Sequence, residues 1–82
     1  MAGRKRQLSD LRILQAVLLA PDPIVTAPEL TERLEMSRQG LNPRLSELTK
    51  RGLLNRRKVG SRAVVYWITD DGRRHLHQNG PP

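Results

Sequence analysis

The chain has 82 residues, 37% of them apolar, with six glycines and six prolines scattered along it, which is room for one compact domain and no second. It carries no cysteine, which excludes a disulfide framework and cysteine-based zinc or redox chemistry. The formal net charge is +7, and all of it lies between Ser37 and Arg62, where eight basic residues face the single acid Glu47, a segregation expected of a surface that meets a polyanion.

Residues 1–7, with Arg4, Lys5 and Arg6, read as a basic N-terminal tail, residues 8–78 as the domain and residues 79–82 as a C-terminal tail. Ser9 is the predicted N-cap of a first helix running to about Ala20, where Pro21-Asp22-Pro23 stops it. The longest apolar run, Ile13 to Ala20, is interrupted by Gln15 and falls far short of the ~20 residues that span a bilayer. Leu8-Ser9-Asp10-Leu11-Arg12 breaks it from the basic start with charge, unlike a cleavable leader, so the expected location is cytoplasmic, with no membrane partner. Leu11, Leu14 and Leu18 share one helix face. Ile13, Ala16, Val17 and Ala20 make a second apolar strip, which is either dimer surface or the bed of the C-terminal helix.

Ile24-Val25 reads as a short extended piece, and Thr26-Ala27-Pro28-Glu29 as a capping box that opens a second helix from Ala27 to about Leu34. Glu35-Met36-Ser37 turns the chain, and Ser37 caps a third helix whose Leu41, Leu45 and Leu48 repeat at the spacing of one face. Arg38, Gln39, Asn42, Ser46 and Lys50 fall largely on the other side, and Gly52 ends the helix. Leu54 to Val59 and Ala63 to Ile68 alternate as strands, joined at Gly60-Ser61 into a hairpin with Arg57, Lys58 and Arg62 beside its tip. Thr69-Asp70-Asp71 caps and charges the first turn of a last short helix, through about Gln78.

The run TAPELTERLEMSRQGLNPRLSELTKRGLLNRRKVGSRAVVYWITDDGRRHL, Thr26 to Leu76, covers 51 of the 82 residues and resembles MarR-type and related bacterial and archaeal transcription regulators. The likeness lies in "ELTERL" before the turn, "SRQ" opening the next helix, "RGLL" before the hairpin and "YWITDDGRRHL" closing it. It implies an α+β winged helix-turn-helix fold, with a three-helix core, a β-hairpin wing and a short C-terminal helix. It also implies sequence-specific binding of double-stranded DNA by a small transcription regulator.

On that resemblance the third helix is the recognition helix, and Ser37, Arg38, Gln39, Asn42, Arg44 and Lys50 are its candidate DNA contacts. Arginine offers a bidentate fork to guanine, and Asn or Gln to adenine. Thr26 would bring a helix N-terminus to a phosphate, and Arg56, Arg57, Lys58, Ser61 and Arg62 would be the wing, on the backbone or the minor groove. Candidate dimer-interface residues are Ile13, Val17 and Trp67; strand alternation leaves Trp67 either exposed or partly covered. No cofactor, metal or small-molecule effector is expected, and no ligand-sensing pocket is evident.

Two residues depart from the family pattern. Glu35 stands where such turns often carry glycine, and a left-handed conformation there would cost about 1–2 kcal/mol. Pro43 either interrupts the recognition helix or leaves Asn42 to cap a shorter helix beginning at Pro43. Enzymatic activity is not expected, because His75 and His77 sit two apart on a helix and diverge, and Asp70-Asp71 serves as a cap. The competing class is a winged-helix adaptor that binds protein, or an RNA-binding module, although only Tyr66 and Trp67 are available for stacking on bases.

Overall fold

A computed structural model describes residues 9–61 and 63–79. The basic tail of residues 1–7, the wing residue Arg62 and the last three residues of the C-terminal tail lie outside the described residues. The element order is α1 (Asp10–Leu18), β1 (Val25–Thr26), α2 (Ala27–Leu34), α3 (Arg38–Lys50), β2 (Leu54–Val59), β3 (Ala63–Ile68) and α4 (Asp70–Asn79). The strands form one antiparallel sheet in the order β1-β3-β2, with Val25 opposite Tyr66 and Arg56 opposite Tyr66 on its other edge.

The caps explain where the helices begin. The Ser9 hydroxyl accepts from the Arg12 N–H at 3.2 Å, and the Ser37 hydroxyl from the Gly40 N–H at 3.1 Å. Thr26 and Glu29 make a complete capping box, the Glu29 carboxylate reaching back to the Thr26 N–H at 2.8 Å. Helix α1 stops at Leu18, short of the expected Ala20: the Leu19 N–H still bonds the Gln15 carbonyl, but the Ala20 N–H bonds Val17, only three residues back, and Pro21 disfavours helical backbone in the residue before it.

The turn between α2 and α3 puts Glu35 in the left-handed region, at φ 55° and ψ 43°. The Met36 N–H then bonds back to the Thr31 carbonyl, the closure that usually recruits glycine. Gly52, at φ 79°, ends α3 in the same way, with the Leu53 N–H on the Leu48 carbonyl. Helix α3 runs unbroken through Pro43, so the alternative of a shorter helix capped by Asn42 is not what the chain adopts. Pro43 and Gln39 both lie on the exposed face, where the Gln39 carbonyl that loses its ladder partner can turn to solvent.

The core joins Ile13, Leu14 and Val17 of α1 to Leu30 and Leu34 of α2, Leu41, Leu45 and Leu48 of α3, and Leu54, Tyr66 and Ile68 of the sheet. This corrects the assignment of Ile13 and Val17 to a dimer surface. They are 0% and 3% exposed, because α1 packs at once against α2, β3 and α4 and has to bury most of its circumference. The apolar residues left exposed there are Leu18, at the last position of α1, and the cap residue Leu19.

Thr69 ties α4 to the end of α3. Its hydroxyl donates to the Gly52 carbonyl at 2.7 Å and accepts from the Gly72 N–H at 2.8 Å. Gly72 is buried so close to the Leu53 carbonyl that no side chain fits there.

Candidate nucleic-acid interface

Residues on α3 divide by their direction around the helix. Leu41, Leu45 and Leu48 go inward, and Arg38, Asn42 and Ser46, spaced by four, line one flank. That flank faces the sheet across a crevice of about 470 Å³, whose far wall includes Arg56 and whose floor includes Tyr66. Gln39 and Lys50 are exposed on the outermost side of α3. The crevice therefore presents the guanidinium-bearing Arg38 and Arg56, the amide of Asn42 and the hydroxyl-bearing Thr26, Ser46 and Tyr66, a set suited to phosphate oxygens and base edges.

Strand alternation splits the wing charges. Arg56 shares the face of Leu54 and Tyr66 toward the crevice, as does Lys58, whereas Arg57 lies on the reverse face with Val65. The expectation of a single basic finger built from Arg57, Lys58 and Arg62 is thus modified, since adjacent residues on a strand cannot point the same way. Val59 pairs with Ala63, so the connection is three residues, 60–62, with Gly60 at φ 67° and Ser61 exposed.

Arg44 takes a direction of its own. It points to α1, where its Nε and Nη2 donate to Asp10 Oδ1 at 3.1 and 2.8 Å. Arg51, seven residues on and so on the same side of α3, donates to Asp10 Oδ2 at 3.3 Å. One carboxylate in the first turn of α1 thereby holds two arginines of the recognition-helix candidate. Asp10 does not stand out in the sequence, where it reads only as an acid near a helix N-terminus; the shared face of Arg44 and Arg51 is the available signal.

The two helix N-termini differ. At Ser37 the first turn of α3 carries no acid, so its N–H groups are electrostatically open to an anion. At Thr26 the hydroxyl is already engaged with Glu29, and that carboxylate occupies the positive end of α2. Trp67 is half-buried on the reverse face of the sheet, in the wall of an apolar groove of about 490 Å³. The sequence offers no sign of that groove, because α1, the sheet and α4 build it jointly.

Four helices and a three-stranded antiparallel sheet, with a hairpin beside the third helix, define a winged helix-turn-helix domain. The MarR family model matches residues 3–62, and the chain belongs to that family. Among solved structures, one MarR family transcription regulator is 33% identical, with 83% of this chain and 45% of the other covered and a TM-score of 0.71. The PcaV transcriptional regulator from Streptomyces coelicolor, solved with its natural ligand, is 25% identical over 87% of this chain and 50% of its own, at a TM-score of 0.77. A point mutant of MarR from E. coli, solved in complex with operator DNA, is 22% identical over 84% of this chain and 49% of its own, at 0.76. The chain thus spans about half the length of the structures it matches. A comparison with curated proteins finds no match.

Proposed function

We propose that this chain binds double-stranded DNA sequence-specifically as a transcription regulator, without enzymatic activity, placing α3 in the major groove and the β2–β3 wing on the backbone or minor groove. The observation that carries this reading is the crevice: Arg38 and Asn42 of α3 face Arg56 of the wing, within the segment that holds the whole net charge. Gln39 and Asn42 are the candidate base readers, with Arg38 beside them at the open N-terminus that Ser37 caps. Lys50, Arg56 and Lys58, with Ser61 and Arg62 of the turn, would contact phosphates. Arg44 serves this reading indirectly, by fixing the helix against α1 through Asp10. Thr26 contributes through its position at the edge of the crevice rather than through a free hydroxyl.

Support also comes from the E. coli MarR structure with operator DNA, which has the same fold. A cytoplasmic place of action goes with DNA as the partner, and no described helix is long and apolar enough to cross a membrane.

The test is titration of random-sequence duplex DNA at several salt concentrations, beside a variant carrying Arg38→Ala and Arg56→Ala. The expected result is binding that weakens steeply with salt and weakens further in the variant, with a shallower slope. Binding indifferent to both salt and these two substitutions would overturn the reading.

A further inference from the structure

Helix α3 carries two residues that the fold does not require. Gly52 and Gly60 hold positive φ angles and Gly72 is pressed against the Leu53 carbonyl, so each of these glycines answers to the backbone or to packing. Gly40 answers to neither. It lies in helical backbone on the exposed side of α3, and a Cβ there would meet only Ser37 Oγ at 3.4 Å and Met36 Cε at 3.8 Å, which is ordinary contact. Pro43, a turn further on, takes an N–H out of the ladder and is exposed as well, so no burial offsets the loss. Local rules broken at exposed positions, with no gain in packing, mark places where function sets the residue.

Pro43 stands on the face of α3 opposite the core. Gln39 lies a turn before it and Lys50 further along, while Leu41, Leu45 and Leu48 take the inner side. Two groups thereby come together on the outermost line of the helix: the backbone carbonyl of Gln39, deprived of the N–H that residue 43 would supply, and the apolar ring of Pro43. Neither carries a charge, so neither adds to the attraction for phosphate. A hydrogen-bond acceptor beside an apolar surface is matched by base edges instead. In the major groove an A·T pair presents the N6 amino donor of adenine and the C5 methyl of thymine together, whereas a G·C pair has an amino donor on cytosine and no methyl. With no side chain at the neighbouring Gly40, the backbone of α3 can come close to such a pair.

We infer that Pro43 is a specificity-determining residue of α3. It frees the Gln39 carbonyl to accept a hydrogen bond from adenine N6 and lays its own ring on the C5 methyl of the paired thymine, so that one A·T pair is read by the helix backbone. The inference rests on the proposed docking of α3 in the major groove and states what one position of its site must be.

Selection of bound sequences from a random duplex library by the full 82-residue chain, repeated with Pro43→Ala, tests it. Alanine restores the ladder bond to Gln39, removes the ring and favours the helix, so the variant folds. The wild-type site should contain an A·T pair whose preference over other pairs falls about tenfold in the variant, within the range one mismatched pair commands. Uracil in place of that thymine removes only the methyl group. It should weaken wild-type binding about fourfold, the contribution of one buried methyl, and leave the variant indifferent. The same site selected by both proteins, a uracil effect equal in both, or a preference lost at every position alike would overturn the inference. With any of these results, salt-dependent binding to random duplex leaves the proposed DNA binding standing. Binding to random duplex that is indifferent to salt, with no site enriched, would bring down both.

Discussion

At Gly72 and Asp10 a single side chain, absent or present, sets how a helix packs, α4 on Leu53 and β3 in the first case and α1 beside α3 in the second. A Cβ at Gly72 would stand 2.1 Å from the Leu53 carbonyl oxygen and 2.7 Å from Ile68 Cγ1, and the nearer obstacle is backbone that cannot rotate away. Gly72→Ala should therefore cost about 3 kcal/mol and lower the melting midpoint by roughly 10–20 °C, measurable by thermal unfolding. Asp10 works by charge. Its partners Arg44 and Arg51 are 24% and 42% exposed, so the contribution to stability is modest, about 1 kcal/mol. The larger effect of Asp10→Ala should be on binding. Two cations released from their carboxylate should strengthen binding to random-sequence DNA and steepen its salt dependence, while the preference for a specific site falls as α3 loses its anchor on α1. Competition between specific and random duplexes would measure this. Unchanged specificity at a steeper slope would assign Asp10 a purely electrostatic role.

Among the elements, α3 is the one that works against its own sequence. It contains Gly40 and Pro43 and still forms a helix of 13 residues, because Leu41, Leu45 and Leu48 are fully buried and Ser37 caps its first turn. Tertiary burial outweighs the lost ladder bond, as it commonly does where helix propensity is weak. Pro43→Ala should restore the bond to Gln39 and raise stability by about 1–2 kcal/mol in denaturant unfolding, less the entropy that proline removes from the unfolded chain. The wing shows another compromise. Strand β2 is an edge of the sheet with an unpaired outer side, and Arg56, Arg57 and Lys58 protect it from pairing with other strands while supplying charge to both faces.

For the whole molecule, the arrangement of charge has a countable consequence. If one copy neutralises about 4–6 phosphates, the logarithm of its affinity should fall against the logarithm of salt with a slope near −4 to −5, and the slope should double when two copies bind together. The crevice beside α3 and the apolar groove walled by Trp67 lie on opposite sides of a three-stranded sheet, so one thin layer separates them.

Periodicity and end signals were enough to place the elements. The leucine spacing of α3, the capping box at Thr26, the alternation of the two hairpin strands and the caps at Ser9, Ser37 and Thr69 are local, so they could be read from neighbouring residues alone. The concentration of charge in one segment was equally local. Which side chains converge was not, because convergence depends on residues far apart in the chain. Asp10 meets Arg44 and Arg51 across separations of 34 and 41 residues, Ile13 and Val17 become core because α2, β3 and α4 all pack on α1, and which side of the hairpin faces α3 is set by how the sheet docks. The sequence alone settled where the chain is helical, extended and positive; packing decided which of its apolar and charged residues are left facing outward together.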